Sequence, residues 1–208
     1  MKTIAILNQK GGVGKTTLST NIARKLYIDK EKVLLIDSDP QGSARDWHAM
    51  GDNEITVVGI DRPTLDKDIP KIATPYDWII IDGAPQLSDM AISAIKCADV
   101  IIIPVQPSPY DIWASVDLVE IVKQRQELAD GRPKAFFLIS RKISNTLLSK
   151  EVYEALSKYS LPILKSYTCQ RVAYAQSAAI GKTVFDVGSS SEAIKEITNI
   201  VTEIREIV

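Results

Sequence analysis

Gln9-Lys10-Gly11-Gly12-Val13-Gly14-Lys15-Thr16-Thr17 is the stretch from which the rest of this 208-residue chain is read. An apolar run, Thr3 to Leu7, precedes it. A stretch of helical period, Thr17 to Tyr27, follows, with Leu18, Ile22 and Leu26 on one face. A glycine-rich turn between a strand and a helix is the setting of a phosphate-binding loop. Gly11, Gly12 and Gly14 allow backbone N–H groups to turn inward around phosphate oxygens, and the helix N-terminus adds partial positive charge. In such a loop Lys15 reaches the β- and γ-phosphates, the Thr16 hydroxyl ligates Mg²⁺, and Thr17 helps to bind the α-phosphate.

The same alternation continues outward. Val33 to Ile36, Trp78 to Ile81, Val100 to Val105 and Ala135 to Ile139 are short Ile- and Val-rich runs, with weaker ones at Ile55 to Val58 and Leu161 to Leu164. Unbroken apolar runs suit strands covered on both faces. Between them, helical periods predict helices over Leu87 to Lys96, Ile112 to Leu128, Thr146 to Tyr159 and Ala193 to Val208, and a further helix near Ala44 to His48. Strand then helix, repeated, gives an α/β fold of three layers: a mainly parallel, twisted sheet with helices on both faces. No repeat or linker divides the chain, so residues 1–208 are expected to form one domain.

Composition narrows the chemistry. Two cysteines, Cys97 and Cys169, exclude a disulfide framework and fit a reducing compartment. One histidine, His48, excludes a multi-histidine metal centre. The net charge of −1 excludes a strongly basic coat. The first apolar run is too short for a signal peptide or membrane span.

Two carboxylate segments complete the site. Leu34-Leu35-Ile36-Asp37-Ser38-Asp39-Pro40-Gln41-Gly42 ends the second strand with aspartates at i and i+2, expected on one side of it and beside the phosphate loop if the first two strands are neighbours. Trp78-Ile79-Ile80-Ile81-Asp82-Gly83-Ala84-Pro85 fits a Walker B strand, with Asp82 touching Mg²⁺ through water. Gly83 stands where many phosphate-loop ATPases carry a catalytic glutamate, which leaves Asp39 as the candidate for orienting water.

The loop departs from G-x-x-x-x-G-K-[ST] by having Gln9 in place of the first glycine and an added lysine, Lys10. It thereby resembles the deviant Walker A ATPases, pattern K-G-G-x-G-K-[ST]-[ST], and D-x-D-P-Q-G resembles the ParA branch of DNA-partitioning ATPases. The resemblance implies a P-loop NTPase fold and a nucleotide loop formed by Lys10, Gly11, Gly12, Val13, Gly14, Lys15, Thr16 and Thr17. It implies catalysis by Lys10, Lys15 and Asp39, with Lys10 reaching the partner's ATP in a homodimer. Asp37 would hold the loop and Mg²⁺-bound waters. It further implies ATP hydrolysis coupled to non-specific duplex DNA binding, a ParB-type centromere-binding partner, and a cytoplasmic, nucleoid-associated protein without membrane attachment. With the first strand beginning at Thr3, no N-terminal helix-turn-helix domain is expected, as in short plasmid-type members.

No N-K-x-D motif follows Leu138-Ile139-Ser140-Arg141-Lys142, which favours ATP over GTP, and the adenine pocket is expected from that region and from Tyr167 to Arg171. Between residues 140 and 182 seven basic residues face two acidic ones. Lys150, Lys165, Arg171 and Lys182 are the candidate DNA contacts within that span. Three alternatives share the scaffold. A MinD-like ATPase would lay its last helix on a membrane, but that helix is net acidic. An iron protein like that of nitrogenase would need cluster cysteines, and Cys97 and Cys169 lack the flanking glycines. A dethiobiotin-synthetase-like ligase would need an acceptor motif, and none is evident.

Overall fold

The structure is a computed structural model describing residues 1–143, 148–188 and 190–208, with the side chains of 148–151 outside the description. The described strands are β1 (Lys2–Ile6), β2 (Val33–Asp37), β3 (Thr56–Gly59), β4 (Trp78–Asp82), β5 (Val100–Val105), β6 (Lys134–Lys142) and β7 (Ile163–Cys169). They form one sheet in the order β3-β2-β4-β1-β5-β6-β7, and every described pair is parallel. Parallel pairing requires a crossover between neighbours, which the helical segments supply.

The apolar runs are continuous because both faces of the sheet are covered. Alternate residues pack into two separate cores. Ala5, Ile36, Ile81, Ile101 and Ile139 share one core with residues of α3 (Leu65–Ile72), α4 (Asp89–Cys97) and α6 (Val116–Leu128). Ile4, Ile6, Leu35, Ile80, Ile102 and Leu138 share the other with residues of α1 (Lys15–Ile28) and α10 (Ser191–Ile207). The two-residue period sorts neighbouring apolar side chains to opposite faces.

Several boundaries differ from the sequence reading. The predicted helix over Ile112 to Leu128 is two helices, α5 (Pro109–Trp113) and α6. The Ser115 hydroxyl and amide both donate to the Ile112 carbonyl, closing α5 in a tight turn. Strand β7 lies later than Leu161 to Leu164, because half-exposed Lys-Ser-Tyr-Thr alternation at a sheet edge carries little apolar signal. The first residues of the predicted helix Thr146 to Tyr159 lie outside the described residues; α7 is described as Leu148–Ser157. Helix α2 spans Ser43–Met50. Helix α3, which contains Pro70, and the short α8 (Val172–Ala178) and α9 (Val184–Val187) show no clear period in the sequence. Strand β2 is not beside β1, since β4 lies between them. The aspartates still approach the loop, because Asp37 is level with Asp82 and Asp82 with Ile6 at the carboxyl ends of the three strands.

Candidate functional site

The phosphate loop leaves β1 and enters α1 at the carboxyl edge of the sheet. Three of its carbonyls are taken up by side chains: Lys10 O accepts from Lys15 Nζ at 3.0 Å, Gly12 O from Gln106 Nε2 at 3.0 Å, and Val13 O from Ser140 Oγ at 2.7 Å. Asn8 ties the base of the loop to β5, donating from Nδ2 to the Pro104 carbonyl at 2.7 Å and accepting the Lys10 amide at 2.9 Å. The amides of residues 11–17 donate to no protein group among the described residues. A cluster of unpaired N–H groups at a helix start is a cradle for an anion. Gly14 has φ +98°, a conformation that favours glycine, and a Cβ there would lie a tight 3.1 Å from Ser140 Oγ.

Lys15, Thr16, Thr17 and Asp39 line one cleft with Gly11, Gly12 and Gly14. Lys15 is buried, and burial holds its ammonium below the usual lysine range while Asp82 and Asp39 pull the other way. Asp37 and Asp39 do not point the same way. Asp37 is fully buried and accepts from the amides of Asp39, Ala44 and Arg45, fastening the turn to the start of α2. Asp39 is partly exposed, faces the cleft, and accepts the Gln41 amide at 2.9 Å, which orients its carboxylate.

Asp82 lies beneath the cleft. Ser19 Oγ donates to its Oδ1 at 2.9 Å, and its Oδ2 is buried without a hydrogen-bond partner among the described residues. Burial pushes the carboxyl up to about 7; the Thr16 and Ser19 hydroxyls oppose the shift and Asp37 adds to it. Gly83 is packed so closely that a Cβ would lie 2.5 Å from Leu7 Cδ2 and 2.7 Å from the Ile6 carbonyl, so no side chain fits where a glutamate stands in other phosphate-loop proteins.

The raised Asp82 value has a testable consequence in Mg²⁺-free protein. Between the ordinary carboxylate value of about 3.9 and about 7, the folded protein keeps a proton that the unfolded chain has released. Stability therefore falls as pH rises through this window. Asp82→Asn is expected to raise the melting midpoint at pH 7.5 by about 5 °C and to remove that pH slope. Melting curves in chelator from pH 4 to 8 measure it; parallel slopes for the two proteins contradict it.

Lys10 extends from the loop to Asp111 on α5, with Nζ 2.6 Å from Oδ2. Asp111 is buried, and its other oxygen has no hydrogen-bond partner among the described residues. On either side of it Tyr110 and Trp113 are 72% and 62% exposed and meet edge to face at 5.5 Å.

A second cleft opens beside Gly14 and Thr17. It is lined by Ser140 and Arg141 of β6, by Thr168 to Arg171 at and after the end of β7, and by Tyr174, Ala175 and Ala178 of α8. The first two segments are those expected to hold the base; α8 escapes the sequence reading, because a seven-residue helix has too few turns to show a period. The DNA candidates separate. Lys165 and Arg171 share a groove with Lys195, Glu192 and Glu196, and Arg171 is ion-paired with Glu196 at 2.7 Å. Lys182 is exposed but outside that groove, its carbonyl accepting from Trp47 Nε1. The Lys150 side chain lies outside the described residues.

Residues 4–184 match the family model described as CobQ/CobB/MinD/ParA nucleotide binding domain. The chain is 32% identical over 211 residues to maintenance of carboxysome distribution protein A of Halothiobacillus neapolitanus, covering 97% of this chain and 95% of that one. It is 27% identical to sporulation initiation inhibitor protein Soj of Bacillus subtilis, covering 88% and 90% respectively. A Borrelia burgdorferi plasmid partition protein bound to AMPPNP superposes with a TM-score of 0.74 at 23% identity, covering 100% of this chain and 99% of that one.

Proposed function

Because the chain belongs to the CobQ/CobB/MinD/ParA nucleotide-binding domain family and is of the ParA type, we propose that it is a Mg²⁺-dependent ATPase that positions a cargo through ATP-gated dimerisation and DNA binding. The observation that carries the nucleotide reading is the run of unpaired amides from residue 11 to 17, with Lys15 and Asp39 in the same cleft. Residues 1–208 act as one ATPase domain in this reading.

The amides and Lys15 bind the β- and γ-phosphates and oppose the negative charge that grows on the transferred group. Asp39 orients the attacking water, since Gly83 offers no side chain for it. Thr16 and Asp82 suit Mg²⁺: they are hard oxygen donors, and the buried Oδ2 of Asp82 is an acceptor that no donor among the described residues satisfies. Thr16 would ligate the ion and Asp82 would hold one of its waters; bound there, Mg²⁺ would supply charge neutralisation for the phosphates. Asp37 acts by fixing the turn that carries Asp39. The cleft between Gly14, Ser140 and Tyr174 takes the adenine.

For Lys10 to reach a partner's phosphate, its ion pair with Asp111 must open. The exposed Tyr110 and Trp113 beside that pair supply apolar area for a dimer face. Lys165 and Lys182, with Lys150, form the DNA-contact set; Arg171 is already paired with Glu196, which offsets its charge. The cargo partner is a ParB-type centromere-binding protein. A second reading changes the cargo and keeps the chemistry: the 32% identity over nearly the whole chain to a carboxysome distribution protein favours a protein assembly as cargo. Membrane attachment through α10 is disfavoured, because Ile197, Ile200, Val201 and Ile204 are buried against the sheet. Exposing them costs on the order of 8 kcal/mol.

The test is duplex retention with ATP, ADP or no nucleotide at rising salt, alongside phosphate release. Retention only with Mg-ATP, falling steeply with salt, is expected. Equal retention in all three states, or no phosphate release, overturns the reading.

A further inference from the structure

Helix α10 holds β7 through two glutamates seven residues apart, hence on one helix face. Glu203 accepts the amides of Lys165 and Ser166 at 2.7 and 2.8 Å, in mid-strand. Glu196, 8% exposed, sits where the strand ends. It accepts from the Cys169 amide at 3.2 Å, from Arg171 Nε at 2.8 Å and Nη2 at 2.7 Å, and from Tyr174 Oη at 2.8 Å.

Its donors come from three consecutive pieces: the last residue of β7, the connecting loop and the first turn of α8. All three donor residues line the cleft beside Gly14 and Thr17, whereas Glu196 stands behind them and does not line it. One carboxylate thus holds a whole wall of that cleft in register with the phosphate loop. Bonds to an ionised, largely buried acceptor are the strong kind, and Arg171 brings the matching charge. Glu203 makes the same type of bond, but Lys165 and Ser166 are not part of the cleft.

We infer that Glu196 is the positioning residue for base recognition: by fixing Cys169, Arg171 and Tyr174 it shapes the wall that distinguishes a purine nucleotide from a bare triphosphate. The inference rests on the nucleotide reading above. It assigns Glu196 no contact with the nucleotide, so its effect is confined to the base and leaves the phosphates alone.

The test is calorimetric titration of the full chain with Mg-ATP, Mg-GTP and Mg-tripolyphosphate, comparing the parent, Glu196→Gln and Glu203→Gln. For Glu196→Gln, ATP affinity is expected to fall about 10-fold, with the ATP-to-GTP preference reduced and tripolyphosphate affinity unchanged. Glu203→Gln is expected to match the parent with every ligand. Unchanged ATP affinity in Glu196→Gln, or parallel loss of ATP and tripolyphosphate, overturns the inference. A parent that binds ATP no better than tripolyphosphate overturns the nucleotide reading instead. Should Glu196→Gln not fold, Tyr174→Phe removes a single bond to the carboxylate at constant shape. It is expected to lower the ATP-to-tripolyphosphate ratio in the same direction, and an unchanged ratio overturns the inference.

Discussion

Lys15→Gln is expected to abolish tight nucleotide binding and to cut phosphate release by about 100-fold or more. The ammonium is buried, donates to the Lys10 carbonyl within its own loop, and stands in the field of Asp82 and Asp39. In nucleotide-free protein it is therefore a charge kept out of water for little return, since burial already holds it below the usual lysine range. A triphosphate changes that balance by bringing several negative charges to the same cleft. Glutamine keeps most of the length and can still donate to the loop carbonyl, so the fold should survive. The measurement is titration with a fluorescent ATP analogue, paired with a melting curve. Unchanged affinity in a folded variant removes Lys15 from the site; lost affinity with lost folding calls for Lys15→Arg as the second variant.

Asp39→Ala is expected to separate binding from turnover. Its carboxylate faces the phosphate cleft but is not one of the groups that hold the loop together. Nucleotide affinity should therefore remain near that of the parent, while hydrolysis falls by about 100-fold or more. Slow hydrolysis should leave the ATP-bound dimer long-lived, visible as a larger species in size-exclusion chromatography with Mg-ATP. Asp37→Ala provides the contrast: that carboxylate accepts three backbone amides and lies fully buried, so its removal should lower the melting midpoint as well as activity. Turnover at the parental rate in Asp39→Ala refutes the assignment and would direct attention to another water-orienting group in the cleft.

The two aspartates show where the linear reading succeeds and where it stops. Their nearness to the phosphate loop was expected from neighbouring first and second strands; β4 in fact lies between these, and the aspartates reach the loop because all three strands end at the same sheet edge. Their division of labour was not legible. Alternation along a strand places i and i+2 on one side only while the chain stays extended, and here the strand ends at Asp37. Past that point the backbone turns into α2, sending Asp37 under the helix start and Asp39 into the cleft. Gly83 is a similar case. Its identity was plain, but the reason no larger residue stands there is the close approach of the Ile6 carbonyl and the Leu7 side chain, and these belong to another strand and the loop that leaves it.

Arg171 and Lys165 make the same point for charge. Counting along the chain groups them as equals in one basic stretch. In the fold Arg171 is neutralised by Glu196, 25 residues later, and Lys165 remains exposed on the edge strand. Charge counts sum over sequence, whereas electrostatic partners are set by distance in space.

Local patterns therefore accounted for the phosphate loop, the strongly apolar strands and the three-layer architecture, since a glycine-rich turn and the period of apolar residues act over a few neighbours. The order of the strands, the partner of Lys10, the separate tasks of Asp37 and Asp39, and the wall that Glu196 holds all join residues far apart in the chain. They arise only when the two apolar faces of the sheet are buried together. Burial then leaves each polar group the choice of a partner brought from elsewhere or an unmet hydrogen bond.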